Sequence, residues 1–226
     1  MEELECIEVN SSKNPEGCVI WLHGLGADSD DFLPMVDQLN IPNKKNIKFI
    51  FPSALFRSIS INNGVSMRAW FDIIDLAINK REDAFGIKQS NELITNLINK
   101  QINNNIPANK IIIGGFSQGA AMALHAGLRF HSNLAGIIAF SGYCPRISFL
   151  AAEQNPNNKN TPIFQTHGLF DPIVPLHIGK SSFEYLLKMQ YKIKFKTYPI
   201  QHTVSVDEIN DLSLELSKML KVESVK

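Results

Sequence analysis

The chain is short of several things, and each shortage closes a route. Cysteine is scarce: three in 226 residues, at positions 6, 18 and 144. An odd number closes no disulfide framework, and these spacings match no metal-ligand pattern. Neither sign of charge is in excess, with 22 Lys plus Arg against 22 Asp plus Glu. That balance gives no electrostatic footprint for nucleic acid and none for simple docking on acidic lipid. No stretch approaches the roughly 20 consecutive apolar residues that a bilayer-crossing helix needs. The opening Met1-Glu2-Glu3-Leu4-Glu5 is acidic and lacks the apolar core of a secretory signal, so a cytoplasmic location is expected. Linker-like tracts, charge blocks and internal repeats are missing too, which makes residues 1–226 one expected domain.

What is present is an alternation of buried strands and amphipathic helices. Residues 18–22, 111–113 and 134–140 are nearly continuous apolar runs, the pattern of strands covered on both faces, and residues 47–51 and 162–167 are read as further buried strands. Between and after them, helical spacing is marked by Phe32, Met35, Val36 and Leu39, by Ile94, Ile98 and Ile102, by Ile178, Ser182, Tyr185 and Met189, and by Val206, Ile209, Leu212, Leu216 and Leu220. Two further strands are expected near edges: residues 4–9, and residues 192–197, where Lys alternates with Ile193, Phe195 and Thr197. This order predicts an α/β architecture with a mostly parallel central sheet and helices on both faces. The connection at about residues 53–86 is long and too apolar for disorder, and it is read as a lid-like loop.

Chemistry concentrates where Ile111-Ile112-Ile113 runs into Gly114-Gly115-Phe116-Ser117-Gln118-Gly119 and then an Ala/Met/Leu run. Glycines two residues either side of Ser117 remove the Cβ atoms that would clash when a strand turns abruptly into a helix. The turn then holds the serine hydroxyl above the sheet, beside a helix N-terminus that favours negative charge. The bland alternative is a serine that merely caps the helix. A nucleophilic serine needs a base, and the base an orienting carboxylate, in the chain order Ser, acid, His on such a sheet. His23 precedes the nucleophile. His125 lies about two turns along the helix, too far to reach back. His131 follows that helix, His167 ends a strand before the acid candidate, and His177 comes only six residues after Asp171 at the start of an expected helix, whereas His202 lies in the loop after the last strand. Asp171 follows a strand and precedes Pro172, which favours an extended turn. Ser117, Asp171 and His202 are therefore the candidate catalytic residues. The backbone N–H groups of Gln118 and of Leu25, in His23-Gly24-Leu25-Gly26, are the candidate oxyanion donors.

Five stretches taken together resemble one family: residues 21–28 (WLHGLGAD), 69–73 (AWFDI), 86–89 (GIKQ), 114–119 (GGFSQG), and His167-Gly168-x-x-Asp171-Pro172-x-Val174-Pro175. They are similar, in order and over about residues 15 to 220, to the acyl-protein thioesterase/carboxylesterase family of small serine hydrolases. The resemblance implies the α/β-hydrolase fold and the same triad and oxyanion donors that the residues themselves suggest. The sequence departs from the family at Ala120, where a second glycine is usual, at Leu169-Phe170, and at Pro199-Ile200-Gln201 before the histidine. The resemblance also implies that the 53–86 connection covers an acyl-binding groove. Trp70, Ile73, Ile74, Leu76, Leu169 and Phe170 are the candidate acyl contacts, with Trp70 and Phe71 equally suited to completing the core. Peripheral membrane contact is a second use of Ile73, Ile74 and Leu76. The expected function is hydrolysis of carboxylic esters or thioesters of medium to long acyl chains, on lipid or acylated protein, through an acyl-enzyme. The expected mechanism uses no metal or cofactor. A lysophospholipase and a non-catalytic ligand-binding module are the competing readings.

Overall fold

Successive side chains of a β-strand point to opposite faces, and this alternation sorts the apolar residues of the chain into two cores. The computed structural model describes residues 3–9, 12, 14–75 and 81–222. Strand β2 (Gly17–Leu22) is buried along its whole length; Cys18, Ile20 and Leu22 enter one core, and Val19 and Trp21 the other. Strands β3 (Ile47–Pro52), β6 (Ile111–Phe116), β7 (Gly136–Phe140) and β8 (Ile163–Gly168) follow the same rule. The first core is covered by α2 (Ala84–Asn103), α3 (Gln118–Arg129) and α5 (Leu176–Lys188), the second by α1 (Leu33–Gln38) and α6 (Val206–Leu220). The short α4 (Leu150–Glu153) packs Leu150 against the first core.

Among the described residues the main sheet has seven strands in the order β1-β3-β2-β6-β7-β8-β9, where β1 is Cys6–Val9 and β9 is Ile193–Tyr198. β1 pairs antiparallel with β3, and the other pairs are parallel. Both strands expected near edges are the two edges of the sheet. β9 has its lysines outward, and Lys194 pairs with Glu215 at 3.0 Å. The expected mostly parallel sheet with helices on both faces is the observed one.

The 53–86 connection holds a hairpin that the sequence reading did not place. β4 (Phe56–Ile59) and β5 (Val65–Arg68) pair antiparallel. Asn63 and Gly64 close the turn with φ of 54° and 77°, the positive values that Asn and Gly adopt at least cost. After the hairpin, residues 69–75 are strapped down. Asp72 accepts from the Ser60 N–H at 2.7 Å, and the Asp72 N–H donates to Asp83 Oδ2 at 2.9 Å. Asp83 also caps α2 by accepting from the Gly86 N–H.

The three cysteines are free. Burial pushes the Cys18 and Cys144 thiols well above the usual thiol range, so they are small apolar core residues and not nucleophiles. Among the described residues, no helix is long and apolar enough to cross a membrane.

Candidate active site

β2 and β6 are neighbours at the point where strand order reverses: β3 follows β2 to one side, and β6 starts the run to the other. Loops leaving two such strands diverge and leave a crevice at their C-terminal ends. The Gly24–Gly26 loop follows β2 and Ser117 follows β6, so the sheet order alone brings them together. A Cβ built on Gly24 would lie 3.5 Å from Ser117 Cβ.

Ser117 sits at φ 55°, ψ −116°, a combination that costs an L-residue of the order of 1–3 kcal/mol and persists only where the surroundings impose it. The surroundings do. A Cβ on Gly119 would come within 2.1 Å of Leu22 O, and one on Gly115 within 2.6 Å of the same oxygen. Both glycines are required because α3 starts in contact with the end of β2. The Ser117 N–H donates to Phe140 O at 2.8 Å, which fixes the turn from the β7 side. The serine side chain makes no helix-cap bond. Its Oγ lies 2.8 Å from His202 Nε2 instead.

His202 Nδ1 lies 2.7 Å from Asp171 Oδ2. A carboxylate can only accept there, so Nδ1 carries the proton and Nε2 faces Ser117 Oγ as an acceptor. The other carboxylate oxygen, Oδ1, accepts from the N–H groups of Ile173 and Val174, each at 2.9 Å. The Asp171 side chain is fully buried, and that of His202 is only 15% exposed. The His202 ring packs on Phe116, with centroids 4.7 Å apart, and Phe116 packs in turn on Phe32. The loop bearing His202 lies against the acid loop: the Leu169 and Phe170 N–H groups donate to Tyr198 O and Ile200 O. Each of the three residues thus follows a different parallel strand (β6, β8, β9), and all three meet at one end of the sheet.

Three contributors escaped the sequence reading. Phe116 lies inside the Gly115-to-Gly119 motif, and its ring packing follows only from where the His202 loop comes down. His167, at the end of β8, is wholly buried. Its Nε2 lies 2.7 Å from Val174 O and 3.6 Å from Asp171 Oδ2. Burial holds its pKa below the ordinary histidine value, so it is a neutral donor that braces the Asp171 turn. The available signal was a run of three polar residues, Gln165-Thr166-His167, in a strand that is buried throughout. Glu208, in the first turn of α6, is also buried, bonds Thr166, and is pushed up to about 7 by desolvation.

The candidate substrate contacts divide. Trp70 is fully buried; its N–H donates to Gln118 Oε1 at 2.8 Å and its indole N–H to His23 O at 2.9 Å. As an acyl contact it is corrected: its ring completes the core, since both polar and apolar parts find partners inside. Phe71 is buried as well. Ile73 and Ile74 are half-buried, and Leu169 and Phe170, the two residues before Asp171, are exposed. Leu76 lies outside the described residues. Neither the Leu25 N–H nor the Gln118 N–H has an acceptor among the described residues.

A buried, ordered Ser/His/Asp arrangement on a mostly parallel sheet, with the serine on a glycine-flanked turn, defines a serine hydrolase of the α/β-hydrolase fold. Comparison with known proteins narrows the class. The family model described as Phospholipase/Carboxylesterase matches residues 4–220, and the chain belongs to that family of ester-hydrolysing enzymes. Acyl-protein thioesterase 1 of Debaryomyces hansenii is 38% identical over 219 residues, covering 93% of this chain and 94% of that one. The protein of the same name from Neurospora crassa is 39% identical over 212 residues, covering 89% and 86%. Among solved structures, Arabidopsis thaliana SOBER1 superposes with a TM-score of 0.86 at 27% identity, covering 90% of this chain and 99% of that one. Zea mays acyl-protein thioesterase 2 superposes with a TM-score of 0.85 at 27% identity, covering 96% and 99%.

Proposed function

We propose that the chain is one catalytic unit that hydrolyses long-chain acyl thioesters and esters, with Ser117 as nucleophile, His202 as base and Asp171 as the orienting acid. His202 Nε2 takes the Ser117 Oγ proton as Oγ bonds to the acyl carbon. The carbonyl oxygen becomes an oxyanion between the N–H groups of Leu25 and Gln118. The C–S or C–O bond to the leaving group then breaks, and His202 returns the proton to that group. Water attacks the acyl-enzyme by the same route and frees the carboxylic acid. These steps need neither metal nor cofactor. The observation that carries the reading is the unbroken chain from Ser117 Oγ to His202 at 2.8 Å and from His202 to Asp171 at 2.7 Å.

The substrate class rests on apolar surface near the site and on the similar proteins, three of which are named as acyl-protein thioesterases. Ile73, Ile74, Leu76, Leu169 and Phe170 are assigned to the acyl chain, and acylated protein at the cytoplasmic side of a membrane is the proposed target. Each buried methylene contributes about 0.8 kcal/mol, so kcat/KM should climb with acyl length until the groove is full.

A fluorophosphonate probe should label the wild type and leave Ser117→Ala unlabelled. A series of p-nitrophenyl esters from two to twelve carbons, run beside palmitoyl-cysteine peptide and lysophospholipid, reads the preference. No labelling of folded wild type would sink the catalytic assignment, and a flat length series would sink the acyl groove. Faster turnover of lysophospholipid than of acyl-peptide would move the substrate to lipid.

A further inference from the structure

The Gly24–Gly26 loop has to present one N–H, that of Leu25, towards Ser117. A glycine-rich loop can flip that peptide and turn a carbonyl inward instead. In a planar trans peptide the C=O of residue 24 and the N–H of residue 25 point in opposite directions. Whatever holds Gly24 O therefore also aims Leu25 N–H. Gly24 O is held by the imidazole of its own neighbour: His23 Nδ1 lies 2.7 Å away. The tautomer is settled from the far side of the ring, where the Ala54 N–H donates to Nε2 at 2.9 Å. Nδ1 must then carry the proton. Burial lowers the pKa of this histidine, which keeps the ring neutral and the donor in place. The preceding peptide is pinned by Trp70, whose indole N–H donates to His23 O at 2.9 Å. The following one is pinned by the Gly26 N–H, which donates to Arg68 O at 2.9 Å.

Trp70 is itself anchored to the nucleophile's helix. Gln118, the residue after Ser117, accepts from the Trp70 N–H at 2.8 Å and donates to Phe71 O at 2.7 Å. The Ser90 hydroxyl bonds Trp70 O. The side chain of Gln118 thus ties one proposed oxyanion donor, its own N–H, to Trp70, whose indole in turn holds the loop that carries the other.

We propose that Trp70 and His23 are positioning residues that lock the Gly24–Leu25 peptide in the orientation needed for an oxyanion hole, with Gln118 linking the two donors. This rests on the serine-hydrolase reading above. Neither side chain touches the substrate, so their effect lies on transition-state charge and not on ground-state binding.

The test compares wild type with Trp70→Phe, which keeps an aromatic ring in the core but removes the indole donor together with part of the bicycle, so the melting temperature is read beside the kinetics to separate lost packing. Readouts are kcat and KM on a four-carbon p-nitrophenyl ester, inhibition by an alkyl trifluoromethyl ketone, and the melting temperature. The ketone forms a tetrahedral adduct whose oxygen occupies the oxyanion position. Loss of an oxyanion donor outright costs about 100- to 1,000-fold in kcat; loosening one should cost about tenfold, with KM within about twofold and ketone affinity falling by the same factor as kcat. Unchanged kcat would overturn the proposal. So would a fall in kcat and melting temperature without weaker ketone binding, since that is a structural effect alone.

Should Trp70→Phe not fold, the His23 pair decides. His23→Asn keeps an N–H near Gly24 O, and it should exceed His23→Leu in kcat by about fivefold. Equal activity in the two would reject the idea. Hydrolysis that persists in Ser117→Ala would instead reject the underlying reading, whatever Trp70→Phe does.

Discussion

Asp171→Asn is a nearly isosteric change whose consequence the structure dictates. Asp171 Oδ1 accepts two backbone N–H groups, from Ile173 and Val174, each at 2.9 Å. An asparagine must put its oxygen there, because an NH2 group would face two donors and leave all of them unpaired. Its NH2 therefore takes the Oδ2 position, 2.7 Å from His202 Nδ1. Two donors cannot share that contact, so His202 shifts its proton to Nε2. That nitrogen is the one 2.8 Å from Ser117 Oγ, and once protonated it cannot accept the serine proton. The same tautomer trap in a well-studied serine protease lowers kcat about 10⁴-fold, or about 5.4 kcal/mol of transition-state stabilisation. The same order is expected for this enzyme, with KM little changed and the melting temperature within a few degrees of wild type. Steady-state kinetics on p-nitrophenyl octanoate at pH 7.5, beside the rate of fluorophosphonate labelling, measure it. Activity within tenfold of wild type, in a folded variant, would refute the assignment of Asp171 as the orienting acid.

The strained turn makes a second prediction: Ser117→Gly should be more stable than Ser117→Ala by about 1 to 2 kcal/mol in urea unfolding, because glycine alone is relaxed at positive φ. His125 is buried and neutral, with burial lowering its pKa to about 3. The unfolded chain takes up a proton below about pH 6.5 that the folded chain refuses, so stability is complete above 6.5 and lost as pH falls towards 3. From this residue alone the loss should reach about 3 kcal/mol by pH 4.5, and His125→Phe should flatten the urea-stability profile over that range. Glu208 shifts the other way, raised to about 7 by burial. Its neutral form stabilises the fold below about pH 4.5, and that contribution is lost as pH rises through 7. Glu208→Gln should therefore gain on wild type by about 3 kcal/mol between pH 5 and 8, read from paired melts; a constant offset would refute it.

Much of this protein was legible locally, because strand and helix periodicity reflect burial that each residue meets wherever its element docks. Residues 18–22 and 111–113 are apolar without a break because both faces of their strands are covered, and the alternating 192–197 belongs at an edge. The Ser117 turn was legible for a related reason: Gly115 and Gly119 mark a close approach of backbone to backbone, which the chain must encode as missing side chains. Chain order, together with a place just after a strand, singled out Asp171 and His202. The hairpin in the 53–86 connection was readable in principle from Asn63-Gly64, but its short strands carry little periodicity.

What only the tertiary structure decided is which side chain meets which. Trp70 could have faced an acyl chain or the core by its apolar character alone. Its burial was settled by two polar partners, His23 O and Gln118 Oε1, contributed from 47 and 48 residues away. Likewise the bracing of Asp171 by His167 and the packing of His202 on Phe116 depend on where the loops after β8 and β9 cross, which no local pattern encodes. Sequence periodicity records whether a position is buried; the identity of its neighbour comes from the order in which distant strands pair.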